Sequence, residues 1–135
     1  MATLLHLAFR VKNPVRTAEL YADLLDGRIV EIGPPLNAIG VQGVAFGRHA
    51  EDGLYDLLEL WPADKRWTSK GFVDVDANDP LFGHFAVRSD KPYEELAAIA
   101  EKRGVTLSME ERGVGYPVPV IYDYDNNFLE FFRPK

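Results

Sequence analysis

The sequence predicts an α+β protein made of two βαβββ modules, and three observations predict it. The first is a repeated opening: His6 to Pro14 spans eight residues, and so does His84 to Pro92. The second is the distance to the next glycine landmark, 21 residues from His6 to Gly27 and 20 from His84 to Gly104. The third is a repeated ending. Tyr55–Trp61 and Asn127–Phe132 are apolar runs, each with one central carboxylate, Glu59 and Glu130. Internal periodicity is read before local detail because it decides the architecture.

Composition bounds the rest. A chain of 135 residues is one domain, or two half-size modules sharing a core. Apolar residues at 47% and charged residues at 27% are ordinary for a globular protein. Fifteen basic against 21 acidic residues leave a net charge of −6, which argues against nucleic acid or an anionic membrane as partner. Without cysteine there is no disulfide, thiolate ligand or thiol nucleophile. Met1–His6 has no basic region ahead of an apolar run, and no apolar stretch approaches about 18 residues, so a cytoplasmic protein is expected.

Module 1 covers about residues 3–62. Leu4–Val11 alternates as a strand, with Leu5, Leu7, Phe9 and Val11 on one face and His6, Ala8 and Arg10 on the other. A helix follows, with Asn13 as cap, Pro14 in its first turn and Gly27 just past its end. Its apolar stripe is Val15, Ala18, Leu20, Tyr21, Leu24 and Leu25. Short strands are expected at Arg28–Ile32, Ala38–Val41 and Gly43–Phe46, then the carboxylate strand Leu54–Trp61. Residues 63–80 read as a connector with little regular structure. Module 2, residues 81–135, repeats the plan with a strand at Leu81–Arg88 and a helix at Lys91–Arg103, capped by Ser89 or Asp90. Strands at Val105–Met109 and Val118–Tyr122 precede the final one. Two glycines flanking Val114, followed by Tyr116, mark the loop before Val118 as mobile.

Each module places one histidine and one glutamate on the face turned away from its helix. An unpaired carboxylate buried among apolar side chains costs several kcal/mol, so it has a partner, a shifted pKa or a metal. Arg10 and Arg88, on the same faces, are the candidate partners under an ion-pair reading. Recurrence in register favours the other reading: His6, Glu59, His84 and Glu130 as ligands of one divalent metal. Two imidazoles and two carboxylates suit nickel, cobalt, manganese, iron or zinc and leave open positions for substrate oxygens. His49, in a turn-like stretch, is read as solvated.

On these residues the chain resembles the vicinal oxygen chelate superfamily (glyoxalase, bleomycin resistance protein, extradiol dioxygenase). His6-Leu7-Ala8-Phe9-Arg10-Val11 looks like the first strand of small bacterial glyoxalase I, and Gly83-His84-Phe85-Ala86-Val87 like the strand that opens the second module. Asp123–Glu130 occupies the place of the family's Asp-Pro-Asp-Gly turn and last ligand, with Tyr124 for proline and Asn126 for glycine. The resemblance implies a U-shaped mixed sheet around a metal cavity and a homodimer with sites at the subunit interface. It also implies a small-molecule substrate whose neighbouring oxygens bind the metal, with Glu130 as base and Glu59 as its counterpart. Arg10, Arg88, Trp61, Phe128, Phe132 and Tyr116 are the expected substrate-binding residues.

A metal-dependent lyase or isomerase of glyoxalase type, moving a proton through an enediolate-like state, is the leading reading. Ala63 stands where similar glyoxalases carry a glutathione-contacting asparagine, and the aromatic residues suit a less polar substrate. The alternative is a ring-cleaving extradiol dioxygenase of catechol-like substrates. A further one is an antibiotic-binding or antibiotic-modifying resistance protein.

Overall fold

The structure, a computed structural model, describes residues 2–48, 56–79, 81 and 83–134. His49 and the start of the expected strand at Leu54 lie outside them. The chain divides into two compact units, residues 1–81 and 82–135.

Unit 1 runs β1 (His6–Val11), α1 (Pro14–Leu25), β2 (Arg28–Val30), β3 (Gln42–Ala45) and β4 (Leu57–Pro62). Unit 2 runs β7 (His84–Arg88), α2 (Tyr93–Arg103), β8 (Thr106–Glu110), β9 (Val118–Tyr122) and β10 (Phe128–Phe132). The strand orders are β1-β4-β3-β2 and β7-β10-β9-β8, the same pattern twice. In each, the first and last strands pair in parallel and the others antiparallel, so both sheets are mixed and the α+β, βαβββ expectation holds. The register repeats too. Glu59 lies opposite Ala8, and Glu130 lies opposite Ala86.

Asn13 caps α1 as expected, its Oδ1 accepting from the Arg16 amide at 3.1 Å. The buried stripe is Thr17, Ala18, Leu20, Tyr21 and Leu24, while Val15 stays exposed. α1 packs against β3 and β4, whose Val44, Leu58 and Leu60 are buried, and Tyr21 takes Phe9 of β1 edge-on at 5.8 Å. Helix packing therefore uses the odd face of β1, which leaves His6, Ala8 and Arg10 on the other. The left-handed cap of α1 falls on Asp26 (φ 50°), not on Gly27. Gly27 serves a different need: a Cβ there would lie 2.6 Å from the Ala45 carbonyl oxygen. In unit 2, Gly104 takes the left-handed cap at φ 72°, and the Ser89 hydroxyl accepts from the Lys91 amide rather than capping α2 directly.

Two stretches differ from expectation. Leu36–Ile39 is a 3-10 turn where a strand at Ala38–Val41 was expected. The connector contains a hairpin, β5 (Lys65–Thr68) and β6 (Gly71–Asp74). Gly71 at φ 100° turns it, the Thr68 hydroxyl donates to the Gly71 carbonyl at 2.9 Å, and Lys65 pairs with Asp74. Phe72 packs between Trp61 and Trp67, with ring centroids 5.8 and 4.4 Å away, which ties the hairpin to β4.

Candidate metal centre

β1 and β4 run in parallel with Ala8 opposite Glu59, and His6 stands two residues before Ala8 on the same face of β1. The His6 Nε2 to Glu59 Oε2 distance is 3.7 Å. Ala86 lies opposite Glu130 in the same way in unit 2, and His84 Nε2 lies 4.0 Å from Glu130 Oε1. Both glutamates are buried at 8% exposure, while both histidine side chains are about half exposed. The sequence-derived residues thus come together as two pairs.

In each pair one carboxylate oxygen is tied and the other faces the imidazole. Trp61 Nε1 donates to Glu59 Oε1 at 3.1 Å, leaving Oε2 towards His6. Arg112 Nε donates to Glu130 Oε2, leaving Oε1 towards His84. Outer groups that orient a ligating carboxylate in this way are a recurrent feature of metal sites. The spacing also fits. Two donors about 2.1 Å from one ion lie between about 3 and 4.2 Å apart, from cis to opposite placement. Both separations fall in that range. Among the described residues no group of three or more His, Cys, Asp or Glu side chains is placed to hold a metal ion.

Arg112 and its neighbours went unforeseen. Arg112 Nη2 donates to Glu110 Oε1 at 3.0 Å, Nη1 to the Glu111 carbonyl at 3.2 Å, and the Tyr122 hydroxyl to Glu110 Oε2 at 2.7 Å. The hydrogen bond from Tyr122, against some cost of burial and with help from Arg112, holds the Glu110 carboxyl below the usual carboxylate range. The same bond, then burial, pushes the Tyr122 phenol up. One signal was available: Glu110 and Arg112 are two apart at the end of an alternating strand, and so share a face.

Arg10 and Arg88 engage backbone instead: Arg10 Nη1 donates to the Ala63 carbonyl at 2.9 Å and Arg88 Nη1 to that of Arg133 at 3.4 Å. Ion pairing to Glu130 comes from Arg112, not from Arg88. Phe128 stacks on His84 at 4.6 Å and 9°, and Tyr122 tilts onto Phe128 at 5.4 Å. Phe132 is half-buried on the same face of β10. Tyr116 is anchored: its hydroxyl accepts from the Arg133 amide at 3.2 Å, and the Arg133 guanidinium lies 4.2 Å over its ring. The turn before β10 is closed by its own side chain and backbone. Asp123 Oδ1 accepts from the amides of Asp125 and Asn127, and Asn126 takes φ 62°. No helix among the described residues is long and apolar enough to cross a membrane.

No protein-family model matches the chain, and no curated protein does. Solved structures do match along almost the full length. The fosfomycin resistance protein FosX from Mesorhizobium loti aligns with a TM-score of 0.64 at 16% identity, covering 100% of this chain and 94% of that one. A glutamate-to-glutamine mutant of the FosX from Listeria monocytogenes, complexed with Mn(II) and 1S,2S-dihydroxypropylphosphonic acid, gives 0.65 at 15%, covering 100% and 92%. A superfamily member from Sphaerobacter thermophilus gives 0.66 at 15%, covering 99% and 98%. With its twice-repeated βαβββ unit, the chain has the fold of the glyoxalase/bleomycin resistance protein/dioxygenase superfamily, the vicinal oxygen chelate fold.

Proposed function

We propose that His6, Glu59, His84 and Glu130 together ligate one divalent first-row metal, the two pairs coming from one chain or from two copies of a homodimer. On this reading the protein is an enzyme acting on a small substrate with neighbouring oxygens. The observation that carries it is the repeated arrangement in which one carboxylate oxygen is tied and the other is turned to an imidazole at 3.7 or 4.0 Å. A bound divalent cation supplies Lewis acidity, which polarises an oxygen and acidifies a neighbouring C–H.

The chain's own groups do the rest. The glutamates differ in their tethers. Glu130 is held by a guanidinium, a charge-assisted bond, and Glu59 by a neutral indole N–H. A carboxylate that swings free to carry a proton leaves the indole more readily, so we assign proton transfer to Glu59 and a fixed ligand role to Glu130. That reverses the assignment that the family resemblance implied. Phe128, Phe132 and Trp61 supply apolar walls, and the leading reaction is proton transfer between adjacent carbons, as in a glyoxalase-type lyase or isomerase.

A second reading has its own support. Two of the similar folds are fosfomycin resistance proteins, one bound to Mn(II) and a dihydroxypropylphosphonic acid, so a small phosphonate such as fosfomycin is the second substrate class. Metal analysis of protein purified without chelators, followed by substrate panels, tests both. Solvent-deuterium exchange beside a carbonyl supports the isomerase, and consumption of fosfomycin supports the resistance enzyme. Oxygen uptake with catechols would move the assignment to ring cleavage. Protein that carries no metal and takes none up overturns the proposal.

A further inference from the structure

We propose that Arg112 is a positioning residue for Glu130: it fixes one oxygen of that carboxylate, and is itself fixed by Glu110, so that the other oxygen meets His84 and the metal. The inference rests on the metal reading above.

All three guanidinium nitrogens are engaged, Nε with Glu130, Nη2 with Glu110 and Nη1 with the Glu111 carbonyl. A group so occupied is built to hold rather than to receive a substrate anion. Glu110 in turn is held by the Tyr122 hydroxyl at 2.7 Å, which makes a chain of four side chains, Tyr122–Glu110–Arg112–Glu130, across β8, β9 and β10. Only arginine offers the planar fork that reaches two carboxylates at fixed angles; a lysine ammonium serves as one point charge. The balance of charge also suits a cation. Two carboxylates, Glu110 and Glu130, flank the one Arg112 guanidinium, so these three side chains together keep a net negative charge. Arg112 also opens the loop that ends at Tyr116, where Gly113 and Gly115 take φ of 73° and 83°. The loop is thus pinned to Glu130 at one end and, through Tyr116, to Arg133 at the other.

The test is titration of the full chain with Mn(II), together with the visible spectrum of the Co(II)-loaded protein, for wild type, Arg112→Met, Arg112→Lys and Glu110→Gln. Arg112→Met is expected to weaken Mn(II) binding by about 10- to 100-fold, the usual effect of removing an outer group that orients a ligand. Arg112→Lys and Glu110→Gln are expected to fall between it and wild type. The cobalt spectrum should shift in all three, which a merely structural contribution would not produce. Should Arg112→Met fail to fold, the other two variants decide. Wild-type affinity and an unchanged spectrum in the Arg112 variants overturn the positioning role while leaving the metal reading intact. A wild type that binds neither ion overturns the metal reading, and this inference with it.

Discussion

Trp61 donates its indole N–H to Glu59 Oε1 at 3.1 Å, from two residues along the same strand. The contact sets which oxygen the glutamate presents, and it puts one of the two tryptophans of the chain against the candidate metal site. Trp61→Phe keeps the ring that packs on Phe72 but loses the donor. Metal affinity should fall by about tenfold, the low end for an orienting outer group. Ni(II) or Co(II) should quench fluorescence in wild type and Trp67→Phe, and much less in Trp61→Phe. Equal quenching in both variants would place the metal elsewhere.

The two ligand carboxylates should respond differently to loss of charge. Glu59→Gln leaves an amide oxygen to accept from the indole, and it removes a buried negative charge whose hydrogen-bond donor is a neutral indole rather than a cation. Glu130→Gln strips Arg112 of a charge partner in a half-buried place. Both variants should lose metal binding by more than the outer-group substitutions do. In the presence of chelator, however, the urea midpoint should drop for Glu130→Gln and hold or rise for Glu59→Gln. A fall of equal size in both would show that the tethers are not different in kind.

A pH titration reads the Tyr122–Glu110 bond directly. Tyr122 is raised above the ordinary tyrosine value near 10, first because its hydroxyl donates to Glu110 and then because of burial. A group raised in the folded state stabilises fully below its unfolded pKa, and the gain is lost as pH rises through the folded one. Glu110, held low, works the other way, and its contribution disappears as pH falls below the usual carboxylate range. Tyr122 should therefore contribute a late step to the ionisation followed by ultraviolet absorbance. Glu110→Gln should bring that late step down towards 10. A late step that survives in Glu110→Gln would assign the shift to burial alone.

The repeat was legible because its landmarks are local. A histidine, a proline cap region, a glycine and a central glutamate recur at nearly fixed spacing, and period-two alternation then assigns each residue a face. The pairing of His6 with Glu59 followed from those faces. Arg112 did not, because its contact depends on the register of β8 against β9 and of β9 against β10, which no residue spacing encodes. Hairpin β5–β6 was hidden by its charged, four-residue strands, too short for alternation to stand out from a loop. At the end of α1 the left-handed residue is Asp26 rather than the adjacent glycine. Aspartate tolerates that conformation, and the glycine is needed one step later.

That last point can be measured with two glycines of different kind. A Cβ at Gly27 would lie 2.6 Å from the Ala45 carbonyl oxygen, and the backbone of a buried central strand cannot retreat. A Cβ at Gly43 would lie 2.7 Å from Ile32 Cδ1, the tip of a side chain that can rotate, and 2.9 Å from Val30 Cγ2 on the edge strand. Overpacking against a fixed neighbour costs about 1–3 kcal/mol. Replacing glycine also restricts the unfolded chain, which returns about 0.4–1 kcal/mol where the folded site can adapt. Gly27→Ala should therefore lose stability in urea unfolding by an amount within the overpacking range. Gly43→Ala should change it by less than about 1 kcal/mol in either direction. Gly43 lies directly opposite Glu59, so its variant should also keep metal affinity only if Ile32 moves away from the glutamate rather than towards it. A Gly27→Ala protein as stable as wild type would mean that β3 sits further from the end of α1 than 2.6 Å allows.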